Sequence, residues 1–152
     1  MKHTLPILIA LMALTLFINC TAYYIKHNPK QALSQALSFS TKSFVNQNYS
    51  EAYKLLRKDI SPDFTVEKFK ELVVGMHPSS EFPKGIIPIE YEVIPGQKQI
   101  NVYLYGESPN EKHYYCIVMI GTEDLGYSVS ELYRRGEPFP NPESRIKIEK
   151  IG

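Results

Sequence analysis

The feature that most constrains this chain is an apolar run near its N-terminus. Residues 5–18 read LPILIALMALTLFI, and they follow Lys2 and His3. The run has no polar face, so it cannot lie as a helix on the surface of a small domain. A short basic start followed by about 14 apolar residues is typical of a secretory signal. The run therefore predicts lipid or the export machinery as its environment.

Two interpretations of the first 25 residues depend on how the run ends. Apolar character is diluted at 19–21 and resumes to Ile25. A helix over residues 5–25 would be about 31 Å long at 1.5 Å per residue, enough to span a bilayer core as an anchor. Tyr23 and Tyr24 would then lie at the interface. Alternatively, the segment is a signal peptide cleaved after Ala22.

A third interpretation is a lipoprotein in which Cys20 carries the lipid. Asn19 departs from that pattern, because lipoprotein signals normally have a small residue before the cysteine. The lysines on the two sides of the run, Lys2 against Lys26 and Lys30, give little asymmetry for orientation. Because the short N-terminal tail is similar to an export signal, we expect the domain on the extracytoplasmic side, the periplasm in a bacterium.

The composition after the apolar run is that of one globular domain. The 152-residue chain is 43% hydrophobic and 22% charged, which is ordinary for a folded protein. Residues 51–152 hold 13 of the 17 basic and all 16 acidic side chains, a balance of 13 − 16 = −3. A nucleic-acid binder would need a basic surplus, so we expect no nucleic-acid partner. Four scattered histidines and two cysteines have no metal-ligand spacing, and no glycine-rich phosphate loop occurs, so no metal or cofactor is expected.

Three helices are predicted first. Pro29 suits the first turn of a helix, and an apolar stripe at helical spacing extends it to about Gln47. Ser50 is expected to cap a short helix over residues 51–57. Thr65 is expected to cap a third helix over residues 66–74, which Gly75 ends.

Four strands are predicted next, over residues 86–94, 99–105, 113–121 and 127–133. The first two alternate apolar and polar residues, and the third is apolar on both faces and therefore interior. Short turns join them, which favours an antiparallel meander. The tail, residues 136–152, is rich in proline and charge, and it holds either a last edge strand at 145–150 or no regular structure. We therefore expect an α+β domain over residues 29–135.

Three phrases carry a family resemblance. They are FVNQNYSEAYKLL at 44–56, SPDFTVEKF at 61–69 and GYSV at 126–129. With the order of elements, they make residues 29–135 similar to the nuclear-transport-factor-2-like, or cystatin-like, superfamily. The resemblance implies a cone-shaped interior between helices and a curved sheet, and a homodimer through the exposed sheet face. An unrelated α+β sandwich is the alternative.

That superfamily includes isomerases and dehydratases as well as non-catalytic binding domains, so the fold alone does not choose a function. An isomerase-type site needs a carboxylate facing an apolar pocket with hydrogen-bond donors beside it. Tyr103 and Tyr105 share a strand face and are the candidate ligand-binding residues. Glu90 and Glu92 alternate with apolar residues, as on a solvated face. We find no catalytic candidate; the aspartates all fall in predicted turns, which is where aspartate is common.

Two hypotheses follow. The first is a non-enzymatic envelope domain, tethered to the membrane through residues 5–25 or exported, that binds a small apolar ligand or a protein. The alternative is a small isomerase- or dehydratase-like enzyme. In the tail, Phe139 is expected either to pin the tail onto the sheet or to contact a partner. Arg134 and Arg135 are expected to form ion pairs at a strand end or to contact an anion. Cys116 is expected to be a buried, inert thiol.

Overall fold

The structure is a computed structural model that describes residues 25–148. The region 1–25, interpreted as signal peptide or anchor, therefore lies almost wholly outside the described residues, as do Cys20 and the last four residues. The helices are α1 (Pro29–Ser40), α2 (Tyr49–Tyr53) and α3 (Val66–Gly75), and the strands are β1 (Ile86–Val93), β2 (Gln99–Glu107), β3 (Lys112–Thr122), β4 (Gly126–Arg135) and β5 (Ile146–Lys147).

The first helix begins as expected at Pro29. The side chain of Asn28 caps it by accepting a 3.1 Å hydrogen bond from the backbone N–H of Gln31. The helix then continues as a π-helical turn, Thr41–Val45. The chain leaves the helix at Gln47, whose φ of 51° no helix tolerates. The predicted extent is thus confirmed to within two residues.

The second helix is shorter than expected, and its cap was assigned to the wrong residue. Asn48, not Ser50, accepts the hydrogen bond from the N–H of Glu51, so α2 begins at Tyr49. It ends at Tyr53 because the next residues pair with the sheet: Leu56 forms a parallel bridge to Val129. The third helix is capped by Thr65, as predicted.

The sheet has five antiparallel strands in the order β4-β3-β2-β1-β5, so the prediction of four strands is wrong. The four predicted strands are all present. The fifth forms because the tail folds back across the sheet, where Ile146 and Lys147 pair with Tyr91 and Glu90 of β1. This is within the edge strand proposed at 145–150. β3 is interior, as its apolar faces indicated, with β2 and β4 on its two sides.

The helices pack on one face of the sheet and bury the main core there. Helix residues and alternate strand residues meet in this layer, and the completely buried ones include Phe39, Phe44, Phe69, Leu104, Tyr115, Ile117 and Met119. The opposite, outer face carries a second cluster of Tyr103, Cys116 and Val118, with Phe139 of the tail packed against it. Phe139 therefore packs the tail against the sheet, which was the first of the two expectations for this residue.

Candidate functional site

The two tyrosines proposed as ligand-binding residues share the outer face but have different surroundings. Tyr103 is only 6% exposed, because the tail covers it. Its ring centroid lies 5.7 Å from that of Phe139 and 3.6 Å from the guanidinium carbon of Arg145. Tyr105 lies at the rim, 5.1 Å from the ring of Tyr114. A single ligand would not meet both hydroxyls without displacing the tail.

The tail covers a cavity of about 220 Å³ beside Tyr103. Arg145 enters this region with a side chain only 6% exposed and forms a long, 3.4 Å ion pair with Glu90. Its Nε has no hydrogen-bond partner and no contact with solvent, so it does not face the open part of the cavity. Burial raises the pKa of Tyr103 to about 12. These features describe a packed contact that holds the tail.

Glu90 and Glu92 do not form the solvated face that their alternation indicated. Glu90 pairs with Arg145, and Glu92 accepts hydrogen bonds from the hydroxyls of Tyr103 and Ser144. The expectation was wrong because the tail returns over β1 and covers the face on which both carboxylates lie. Cys116 lies beneath the same cover, and burial raises the pKa of its thiol to about 11, in agreement with an inert thiol.

A polar network lies at the end of the sheet formed by the β2–β3 loop. Arg134 is its centre: it donates to the carbonyl of Met76 at 2.9 Å and to Nδ1 of His113 at 2.8 Å, and it pairs with Glu111 at 2.5 Å. Because Nδ1 of His113 accepts, Nε2 carries the proton and donates to the hydroxyl of Ser108 at 3.1 Å.

A second histidine joins the same end of the core. His77 is buried, with Nδ1 2.8 Å from the carbonyl of Val73 and Nε2 2.8 Å from the hydroxyl of Tyr115. The carbonyl can only accept, so Nδ1 carries the proton and Nε2 accepts from the tyrosine. Burial lowers the pKa of His77 and of His113, and Arg134 lowers both further. Both rings are therefore neutral at pH 7.

This network was not apparent in the sequence. In the sequence 36 positions separate His77 from His113, yet their ring centroids are 5.6 Å apart. Both arginines at the end of β4 form ion pairs, as expected: Arg134 with Glu111 at 2.5 Å and Arg135 with Glu137 at 2.6 Å. Within residues 25–148 no three His, Cys, Asp or Glu side chains are grouped to hold a metal ion. The polar groups of the network form hydrogen bonds and ion pairs with one another, which indicates a structural role.

An open apolar cleft of about 350 Å³ lies between the helical layer and β4. Apolar side chains from the helices and their connecting loop form one wall, namely Leu56, Ile60, Phe64, Phe69 and Leu72. The second half of β4, from Ser130 to Tyr133, forms the other wall. Leu72, at the mouth of the cleft, is 42% exposed.

The same stretch of β4 is an open sheet edge. β4 is the last strand of the sheet on its side. The edge is covered at Val129, which exchanges backbone hydrogen bonds of 2.9 and 2.8 Å with Leu55 and Arg57. Beyond Val129, no backbone group in the described part of the chain pairs with this edge. The strand therefore presents unpaired N–H and C=O groups along the cleft. No sequence pattern indicated the cleft, since the bridge that ends at Val129 depends on the fold.

Completely buried side chains such as Phe44, Tyr115 and Met119 occupy the interior between the helices and the sheet, and the cleft opens at its β4 side. The buried residues of the main core are apolar or aromatic, and no carboxylate is among the buried residues of the described part. The acidic residue at the cleft, Glu131, is exposed at its rim and accepts a hydrogen bond from the hydroxyl of Tyr133. The three aspartates, Asp59, Asp63 and Asp124, lie in turns as predicted.

Between Ile25 and Ile148, none of the helices has the length and apolar character needed to cross a bilayer. Comparison with known protein families, with curated proteins and with solved structures finds no match to the chain. The functional argument therefore depends on the sequence and on the geometry described above.

Proposed function

We propose that this chain is a non-enzymatic envelope domain that binds an extended segment of a protein partner along the open edge of β4. In this proposal the apolar N-terminal run tethers the domain to the membrane or directs its export, which places it on the extracytoplasmic side. The observation that carries the proposal is the coincidence of an unpaired strand edge with an apolar cleft of about 350 Å³ beside it.

An extended peptide suits this combination better than a compact small molecule does. Its backbone can pair with the free groups of β4, and alternate side chains can enter the cleft. Phe64, Phe69 and Leu72 would bury the inserted side chains, which favours apolar residues in the partner. A protein segment added in this way also protects an edge that would otherwise favour aggregation.

The enzyme alternative has less support. A base for an isomerase-type reaction must face an enclosed apolar pocket, whereas the interior here is packed with side chains such as Phe44 and Tyr115. The carboxylate nearest the cleft, Glu131, is at its exposed rim. Glu90 lines the cavity of about 220 Å³ beside Tyr103, but its carboxylate is paired with Arg145 and is therefore not a free base.

We also propose that the domain is a member of the nuclear-transport-factor-2-like superfamily. Three helices on one face of an antiparallel sheet agree with the cone-like arrangement of nuclear-transport-factor-2-like domains. The tail covers part of the outer sheet face, around Tyr103 and Cys116, and leaves less of that face for the homodimer that the resemblance implies. This favours the β4 edge as the surface for a protein partner.

Site-specific photo-crosslinking in the full-length chain tests the proposal. A photoreactive phenylalanine derivative at Tyr133, at the cleft, should capture a discrete protein in membranes of the expressing cells. The same probe at Ile87, which is 54% exposed on β1, is the control and should not capture it. Leu72→Asp should abolish capture at Tyr133, whereas a chain with an aspartate added elsewhere, Lys84→Asp, should retain it. Equal capture at both probe positions, or capture insensitive to Leu72→Asp, would contradict the assignment.

A further inference from the structure

We propose that the end of the domain formed by the β1–β2 and β3–β4 turns faces the lipid bilayer, with the side chain of Leu125 entering it. This inference goes beyond the partner cleft and rests on the membrane tether in the proposed function. It concerns how the domain is oriented on the membrane, which the tether alone leaves open.

The first described residues after Ile25 are hydrogen-bonded directly to the domain. The carbonyl of Lys26 accepts a 3.0 Å hydrogen bond from the N–H of Glu123, and the two side chains form a 2.6 Å ion pair. The ring of His27 donates from Nε2 to the carbonyl of Gln97 at 2.9 Å. The N–H of Asn28 donates to the hydroxyl of Tyr127 at 2.9 Å. Residues 26–28 are thus fixed to both turns immediately after Ile25.

The two turns lie at one end of the sheet. β1 leads into β2 through residues 94–98, and β3 leads into β4 through residues 123–125. The N–H of Gly121, near the end of β3, donates to the carbonyl of Lys98 at 2.8 Å, which joins the β1–β2 turn to the end of β3. The opposite end, with the β2–β3 loop around Pro109, is a nine-residue strand away, or about 30 Å at roughly 3.3 Å per residue.

The distance available between membrane and domain is therefore small. If residues 5–25 span the bilayer, Lys26 and His27 follow the end of the span within two residues, or about 7 Å of chain. The headgroup region on each side of a bilayer is about 5–7 Å thick. The turns to which both residues are bonded must accordingly lie at the headgroup level.

The surface of this end suits that position. Leu125 at the tip of the β3–β4 turn is 78% exposed, the highest value among the large apolar side chains of residues 25–148. At the headgroup level the side chain of Leu125 is within reach of the acyl chains. Segment 26–30 and the two turns together contain three lysines, Lys26, Lys30 and Lys98, against Glu123 and Asp124. The remaining single positive charge, 3 − 2 = +1, is compatible with anionic lipid headgroups.

The test uses the absence of tryptophan from the chain. Full-length Leu125→Trp and Pro109→Trp each carry one tryptophan, at opposite ends of the sheet and both at exposed positions. Each is reconstituted into vesicles of phosphatidylcholine and phosphatidylglycerol in equal parts, with and without bromine atoms on the acyl chains. Bromine quenches tryptophan fluorescence only on close approach. Flotation of the same vesicles measures the tether independently.

We expect both variants to float with the vesicles, Leu125→Trp to lose most of its fluorescence in brominated lipid, and Pro109→Trp to lose none. Flotation with no quenching at position 125, or with equal quenching at both positions, overturns the orientation and leaves the tether standing. Failure of the intact chain to float overturns the tether and the orientation with it. Circular dichroism of each variant establishes that it is folded.

Discussion

The hydroxyl of Tyr115 donates a 2.8 Å hydrogen bond to Nε2 of His77 in the buried layer between helix and sheet. The rings of Phe44 and Tyr115 stack at 4.2 Å, so the bond is enclosed by aromatic side chains. It joins His77, two positions after α3, to Tyr115 of the interior strand β3, 38 positions later in the sequence.

Removing the hydroxyl should destabilise the fold. In Tyr115→Phe, Nε2 of His77 would be a buried acceptor without a partner, and such a loss costs about 1–3 kcal/mol. Urea unfolding should show a fall of that size in the free energy of unfolding. Tyr114→Phe is the matched control, since the neighbouring tyrosine points to the partly exposed outer face, and its effect should stay within about 0.5 kcal/mol. Equal effects of the two variants would contradict the account.

Stability should fall as the pH decreases from about 6.5. Burial lowers the folded-state pKa of His77 and His113 from the ordinary value of 6.5. Between 6.5 and the lowered values the unfolded chain binds protons that the folded chain does not, so the free energy of unfolding decreases with falling pH. The pKa of Glu81 and that of Glu111 are lowered from 4.5, so their loss of stability begins at lower pH.

The variant for this prediction is His77→Gln. Urea unfolding between about pH 7 and about pH 5 should show a shallower pH dependence for His77→Gln than for the parent chain. An unchanged slope in His77→Gln would show that the buried histidine does not produce the effect.

The tail should protect Cys116 from thiol reagents. Phe139 packs on the outer cluster that contains Cys116, and Arg145 stacks on Tyr103 beside it. Phe139→Ala removes a large part of this cover, and a loss of about 1–2 kcal/mol in closing the tail corresponds to about five- to thirtyfold faster labelling. The measurement is the rate of thiol labelling in a Cys20→Ser background, so that Cys116 is the remaining thiol.

The control for the tail is Pro140→Ala, an exposed neighbour that should leave the labelling rate unchanged. Urea unfolding of both variants separates local opening of the tail from unfolding of the sheet. If Phe139→Ala labels no faster than the parent, the tail does not cover the thiol in solution.

Local patterns were sufficient to predict most of the elements. The proline at position 29, the cap at Thr65 and the alternation in β1 and β2 act over a few residues, and the corresponding helices and strands are present. The error at α2 arises because local patterns do not distinguish two possible caps. Both Asn48 and Ser50 can cap a helix, and the sequence does not show which one accepts the hydrogen bond from Glu51. The choice depends on where Leu56 must meet Val129.

The features of the candidate site could not be predicted in this way because they depend on contacts between distant parts of the chain. The fifth strand, the buried pairing of Glu90 with Arg145 and the meeting of His77 with His113 each join segments at least 36 residues apart. The open stretch of the β4 edge begins where residues 55–57 end their pairing with Val129. The proposed ligand role of Tyr103 and Tyr105 and the lipidation of Cys20 remain predictions.

The central claim, that a partner adds a strand to β4, is tested most directly by amide hydrogen exchange. Peptides selected from a random displayed library against the full-length chain in detergent serve as the probe. Binding should slow exchange of backbone amides within residues 130–135 by at least about tenfold, equivalent to 1.4 kcal/mol, and leave the amides of β5 unchanged. Peptides that bind tightly and leave exchange at residues 130–135 unaltered, or that protect the outer face, would contradict the claim.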